Sequence, residues 1–139
     1  MAGSAAAGRG AHPWQWGIAL AALILPVPLA AELLAAGRSP FVLIAPLLLL
    51  AAPPALRAHR ARFMTSCVAL AVVLFWWSLF GLGDGALVFL PSSLLLLCAN
   101  FADPRAYPTP AAVFTFAAVI IGVLPAVASL AAAVHLLGG

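Results

Sequence analysis

The sequence predicts an all-α integral membrane protein, a bundle of five transmembrane helices. Three observations carry that expectation. Of the 139 residues, 66% are apolar and 6% are charged, against about 45–50% and about 25% in a soluble domain. The apolar residues fall into five runs separated by proline, glycine and charge. The arginines are also shared very unequally between alternate connections. Nine charged side chains cannot cover a water-facing surface, so a soluble fold and a disordered chain are both excluded. The formal net charge of +3 comes from six arginines spread along the chain. They form no basic face, so a nucleic-acid partner is not expected.

The length allows one domain. Residues 1–16 read as a cytoplasmic tail and 17–137 as a single transmembrane domain. The first run, 17–36, has 20 residues. At 1.5 Å per residue it reaches about 30 Å, the thickness of the hydrocarbon core. It is longer than the h-region of a signal peptide, so a retained span is expected. Pro26 and Pro28 should kink it. The second run, 40–56, starts at Ser39-Pro40, an N-cap followed by proline at N1. Pro46 and the Pro53-Pro54 pair should break its last turn.

The third run, 63–82, holds neither charge nor proline and closes at Gly81-Leu82-Gly83-Asp84-Gly85, a turn signal in which Asp84 could cap the next helix. The fourth run, 86–101, is short and contains Pro91. The fifth, 111–137, is long enough to span with tilt, and Pro125 should bend it. Alternation of the kind a β-barrel needs is missing, so all five runs read as helices. Because the second and fourth runs are short, four spans plus one re-entrant or interfacial segment is the alternative.

Five spans put Arg9, Arg57, Arg60, Arg62 and Arg105 on one side and Arg38 on the other. The positive-inside rule then places the N-terminus in the cytoplasm and the C-terminus outside. Lysine is absent and alanine abundant, a bias of GC-rich genomes, so the membrane is expected to be a bacterial inner membrane. Trp14 and Trp16 fall at one mouth of the bundle and Trp76 and Trp77 toward the other, as an aromatic belt would.

Glu32 is the only acid within an apolar run, and an intramembrane carboxylate is a functional hypothesis by default. It could couple a proton or cation, snorkel to the interface, or pair with Arg38. Arg57, His59, Arg60 and Arg62 form a basic loop that fixes topology and could hold anionic lipid headgroups or a partner. Ala118, Gly122 and Ala126 place a small residue at every fourth position, a spacing that lets helices approach closely.

Cys67 and Cys98 fall at similar depth near the cytoplasmic face and read as packing thiols. His12, His59 and His135 lie in three separate regions, so no metal site is expected. Ser92, Ser93 and Ser129 read as helix-packing hydroxyls. No nucleophile motif, phosphate loop or cofactor motif occurs, and neither catalysis nor a cofactor is expected. The chain thus reads as a small multi-pass structural, accessory or regulatory subunit of a membrane assembly, in contact with lipid and with other membrane proteins or itself. The alternative is a small oligomeric transporter or channel coupled through Glu32.

Overall fold

The computed structural model describes residues 10–104, 110–123 and 127. Among them are five helices and no strand: α1 (Pro13–Ala35), α2 (Pro40–Ala55), α3 (Arg60–Phe80), α4 (Ala86–Phe101) and α5 (Pro110–Val123). Only α1 and α3 are long and apolar enough to cross a membrane. With 16 residues each, α2 and α4 reach about 24 Å. The predicted stretch beyond Val123, with Pro125, Ala126, Ser129 and His135, lies outside the described residues except for Val127. So do Arg9, Arg105 and Thr109.

Proline shapes the helices as its chemistry requires. It lacks an N–H, and its ring clashes with the carbonyl four residues back. In α1 the regular helix stops at Ile24 and resumes at Val27, the expected kink at Pro26 and Pro28. In α2 it stops at Leu50 and resumes over Ala52–Ala55, where Pro53 and Pro54 fall in the first turn. Pro91 breaks nothing. A 3-10 turn, Ala86–Phe89, precedes it, and it enters the α-helical part of α4 in the first turn, where no hydrogen bond is lost.

Several boundaries differ from the sequence expectation. The first helix starts at Pro13, inside the expected tail, because His12 and Gln15 form a capping box: the Trp14 N–H donates to His12 Nδ1 and the His12 N–H to Gln15 Oε1. The third starts at Arg60, so Arg60 and Arg62 form its first turn rather than a loop. Ser39 occupies the N-cap of α2 with Pro40 behind it, but its side chain makes no capping bond. Asp84 caps nothing; Gly85, at φ 88°, stands at the N-cap of the following 3-10 turn. Gly37, at φ 80°, closes α1 in a Schellman motif: the Gly37 N–H donates to the Leu34 carbonyl and the Arg38 N–H to that of Leu33.

The first four helices alternate in direction. Gln15 Nε2, at the start of α1, donates to the Ala99 carbonyl near the end of α4. Seven residues along α1 and seven back along α4, the Ser92 hydroxyl donates to the Ala22 carbonyl. On its other side α4 runs antiparallel to α3, with the Ser93 hydroxyl on the Ala71 carbonyl and Asp103 beside Arg60. The Trp77 indole N–H donates to the Val42 carbonyl, joining the end of α3 to the start of α2. Thus α4, though short, is the central helix, and its Ser92, Ser93, Leu95, Leu96 and Ala99 are buried. Stacking of Phe101 on Phe114, with ring centroids 4.9 Å apart, ties α5 to it.

The bundle is apolar outside as well as inside, and a few polar side chains are buried in its core. Gln15, Ser78, Ser92, Ser93 and Asp103 are buried. Large apolar side chains face outward on every helix, among them Ile24, Leu48, Phe80, Leu97 and Phe116, with Phe80 85% exposed. Only 22% and 28% of the most apolar windows of α1 and α3 are buried.

Candidate functional site

The alternation brings the start of α1, the end of α2, the start of α3 and the end of α4 to one end of the bundle. Arg57, His59, Arg60 and Arg62 all lie there. The structure divides this cluster. Arg60 Nη2 sits 2.5 Å from Asp103 Oδ2, with the Asp103 side chain 2% exposed and that of Arg60 35%. A cation in the first turn of a helix opposes the helix dipole. The carboxylate of Asp103 offsets that cost for Arg60. Among the described residues this is the ion pair, and it leaves Arg57 and Arg62 without an acidic partner.

Arg57 is exposed, and its guanidinium lies 5.3 Å from the centre of the Trp16 ring. That cation–π contact fixes the side chain over the start of α1. The backbone locks the same junction, because the Ala11 N–H donates to the Arg57 carbonyl at 2.9 Å. Ala11, Pro13, Trp16, Arg57 and Ala58 line a cleft of about 440 Å³. Trp16 Nε1 and Arg60 Nε are buried and have no hydrogen-bond partner among the described residues. Arg62 borders a second shallow groove with Thr65 and Ser66, whose hydroxyls donate to the Ala61 and Phe63 carbonyls of their own helix. His59 is exposed at the N-cap of α3 and makes no capping bond.

Glu32 lies toward the other end and does not enter the interior. Its side chain is exposed, and it does not pair with Arg38. Arg38 instead donates from Nη1 to the Gly83 carbonyl at 2.7 Å, joining the α1–α2 and α3–α4 connections. Asp84 belongs to this end and Asp103 to the opposite one, as the expected topology requires. The aromatic groups follow the same division. Trp76 and Phe80 stack at 5.9 Å on the outer surface of α3, with Phe41 against Trp77 beside them. Trp14 and Trp16 sit at the arginine end.

Ala118 is buried, and Gly122 lines an apolar groove of about 500 Å³ between α1, α4 and α5. Ala126, the third small residue, lies outside the described residues. Cys67 and Cys98 are buried free thiols. Among the described residues no three metal-ligating side chains converge.

Two participants at the arginine end escape sequence reading. Gln15 looks like an ordinary polar residue before an apolar run, yet it caps α1 and bonds to α4. Its three-residue spacing from His12 is the one available signal, because histidine is a rare cap. Asp103 looks like a loop residue before Pro104. Only the packing of α4 against α3 reveals its partner.

The chain matches no family model, no curated protein and no solved structure. Its functional reading rests on its own residues.

Proposed function

We propose that this chain is a small five-span membrane protein that acts as an accessory or structural subunit of a larger membrane assembly. The observation that carries the reading is the apolar exterior: large apolar side chains point outward on all five helices, around a core in which Gln15, Ser92 and Ser93 bond from helix to helix. A helix in the core of a soluble protein is mostly buried, whereas α1 and α3 keep most of their apolar length on the outside. In water that surface would greatly exceed the few hundred Å² of apolar patch that soluble monomers expose. In hydrocarbon it is the ordinary exterior. A removable leader is a poor description of α1, because Gln15 and Ala22 are hydrogen-bonded to α4.

The antiparallel alternation of the first four helices and the placement of Arg57, Arg60 and Arg62 opposite Arg38 support repeated crossings, and the fifth rests on the apolar run 111–137 of the sequence. By the positive-inside rule the arginine end faces the cytoplasm, in a bacterial inner membrane. The short α2 and α4 would be matched by local thinning of the bilayer, at fractions of a kcal/mol per Å. Catalysis forms no part of this reading.

The interior favours an accessory role over transport. Ser92, Ser93 and Gln15 use their donors to hold α4 between α1 and α3, rather than to line a path. Glu32, the residue a coupled transporter would use, points away from that interior. Extraction in a mild detergent followed by sizing and crosslinking tests the reading. A defined complex of fixed stoichiometry supports it, and a chain that runs as a stable lone monomer counts against it.

A further inference from the structure

We infer that the cleft formed by Trp16 and Arg57 is a binding site for the phosphate group of an anionic phospholipid. The inference rests on the membrane reading above and adds a ligand and its residues. Four features meet at this cleft. Arg57 is a cation with no acidic partner among the described residues, while its neighbour Arg60 is neutralised by Asp103. Its guanidinium is already held over the Trp16 ring, so little side-chain freedom remains to be lost on binding. Trp16 Nε1 is a buried donor with no hydrogen-bond partner among the described residues, an arrangement that calls for an acceptor. The walls are set by the Ala11–Arg57 backbone bond.

Two donors and one net positive charge, at the end of a helix whose outer surface is apolar, suit an oxyanion carried on a lipid better than a neutral headgroup. The planar fork of arginine matches phosphate oxygens. The site is specific within the basic cluster. Arg60 is engaged in the fold, and Arg62 lacks both the aromatic platform and the unbonded indole donor.

Native mass spectrometry of the full chain, released from detergent containing matched amounts of phosphatidylglycerol and phosphatidylcholine, tests the inference. Retained phosphatidylglycerol is expected to exceed phosphatidylcholine. In Arg57→Gln that preference should fall about fivefold, the equivalent of about 1 kcal/mol for one arginine at a lipid surface. Trp16→Phe keeps the ring and removes the donor, and should lower retention by a smaller factor. Arg62→Gln controls for loss of charge alone and should lower it least.

Equal losses in Arg57→Gln and Arg62→Gln would overturn the site in favour of a diffuse basic surface. Displacement of the lipid by inorganic phosphate at comparable concentration would overturn the lipid as the source. Unaltered thermal unfolding of each variant keeps these results distinct from misfolding. Carbonate extraction of membranes separately tests membrane integration: release of the chain there would defeat the underlying reading, whereas retention with no lipid preference would defeat this inference alone.

Discussion

Arg60 and Asp103 join the first turn of α3 to the residue just beyond α4, the carboxylate almost wholly buried and the guanidinium one-third exposed. This asymmetry makes the two partners unequal. Arg60→Gln takes a guanidinium away from a buried carboxylate, whereas Asp103→Asn leaves a guanidinium that can reach water. Loss of one partner from a fully buried pair costs about 3–5 kcal/mol, and the exposure of Arg60 lowers the expectation to about 1–3 kcal/mol. Thermal unfolding in detergent should rank Arg60→Gln as the more damaging of the two, with Arg57→Gln close to wild type. The reverse order would mean that the carboxylate does not depend on Arg60.

Ser92 and Ser93 are neighbours in sequence that bond in different directions, to the Ala22 and Ala71 carbonyls. Interhelical hydrogen bonds in membrane proteins average about 0.6 kcal/mol, reaching about 1.7 at most. Each serine-to-alanine change should cost an amount in that range. The pair should be additive, because the bonds share no partner. Unfolding by sodium dodecyl sulfate titration reads both quantities, and strong coupling between the two would show that α1 and α3 do not pack independently on α4.

Gly81 and Gly85 are required by space and by backbone. A Cβ on Gly81 would lie 2.4 Å from that of Ala86 and 3.1 Å from the Trp77 carbonyl oxygen. One on Gly85 would lie 2.8 Å from a Leu33 methyl, at a φ of 88° that L-residues avoid. Either alanine variant should lose about 1–3 kcal/mol, as overpacking does. Gly83, with open space around it, should tolerate alanine in the same denaturation series.

Glu32 is the residue on which the two functional readings divide. Its outward placement leads us to expect that Glu32→Gln leaves both the melting temperature and the oligomeric state unchanged. It should also leave unchanged any flux across a proton gradient in proteoliposomes. A flux that depends on Glu32 would establish the transporter.

Much of this architecture is legible in the sequence, because proline and glycine punctuate the apolar runs where the helices break and turn. Pro26, Pro28 and Pro53 mark the breaks in α1 and α2, and the arginine spacing anticipates which connections share an end. What escapes is side-chain pairing at a distance. An apolar run does not reveal which of its faces is inward, so the sequence leaves Glu32 open between coupling, snorkelling and pairing with Arg38, and the fold shows it exposed and unpaired with Arg38. Nor does a basic stretch reveal that one of its members, Arg60, belongs to Asp103 while Arg57 rests on Trp16. The first assignment depends on α4 running antiparallel to α3 and the second on the end of α2 meeting the start of α1, relations no local pattern encodes.

The central claim is that the chain crosses the membrane with its arginine end in the cytoplasm and the Arg38 end outside. Single cysteines at the exposed positions Ala58 and Asp84, in a chain whose buried Cys67 and Cys98 are replaced by alanine, test it with a membrane-impermeant maleimide on intact cells. The account predicts that Asp84→Cys is labelled at once and Ala58→Cys only after permeabilisation. Equal labelling of both positions on intact cells, or protection of both, would contradict it.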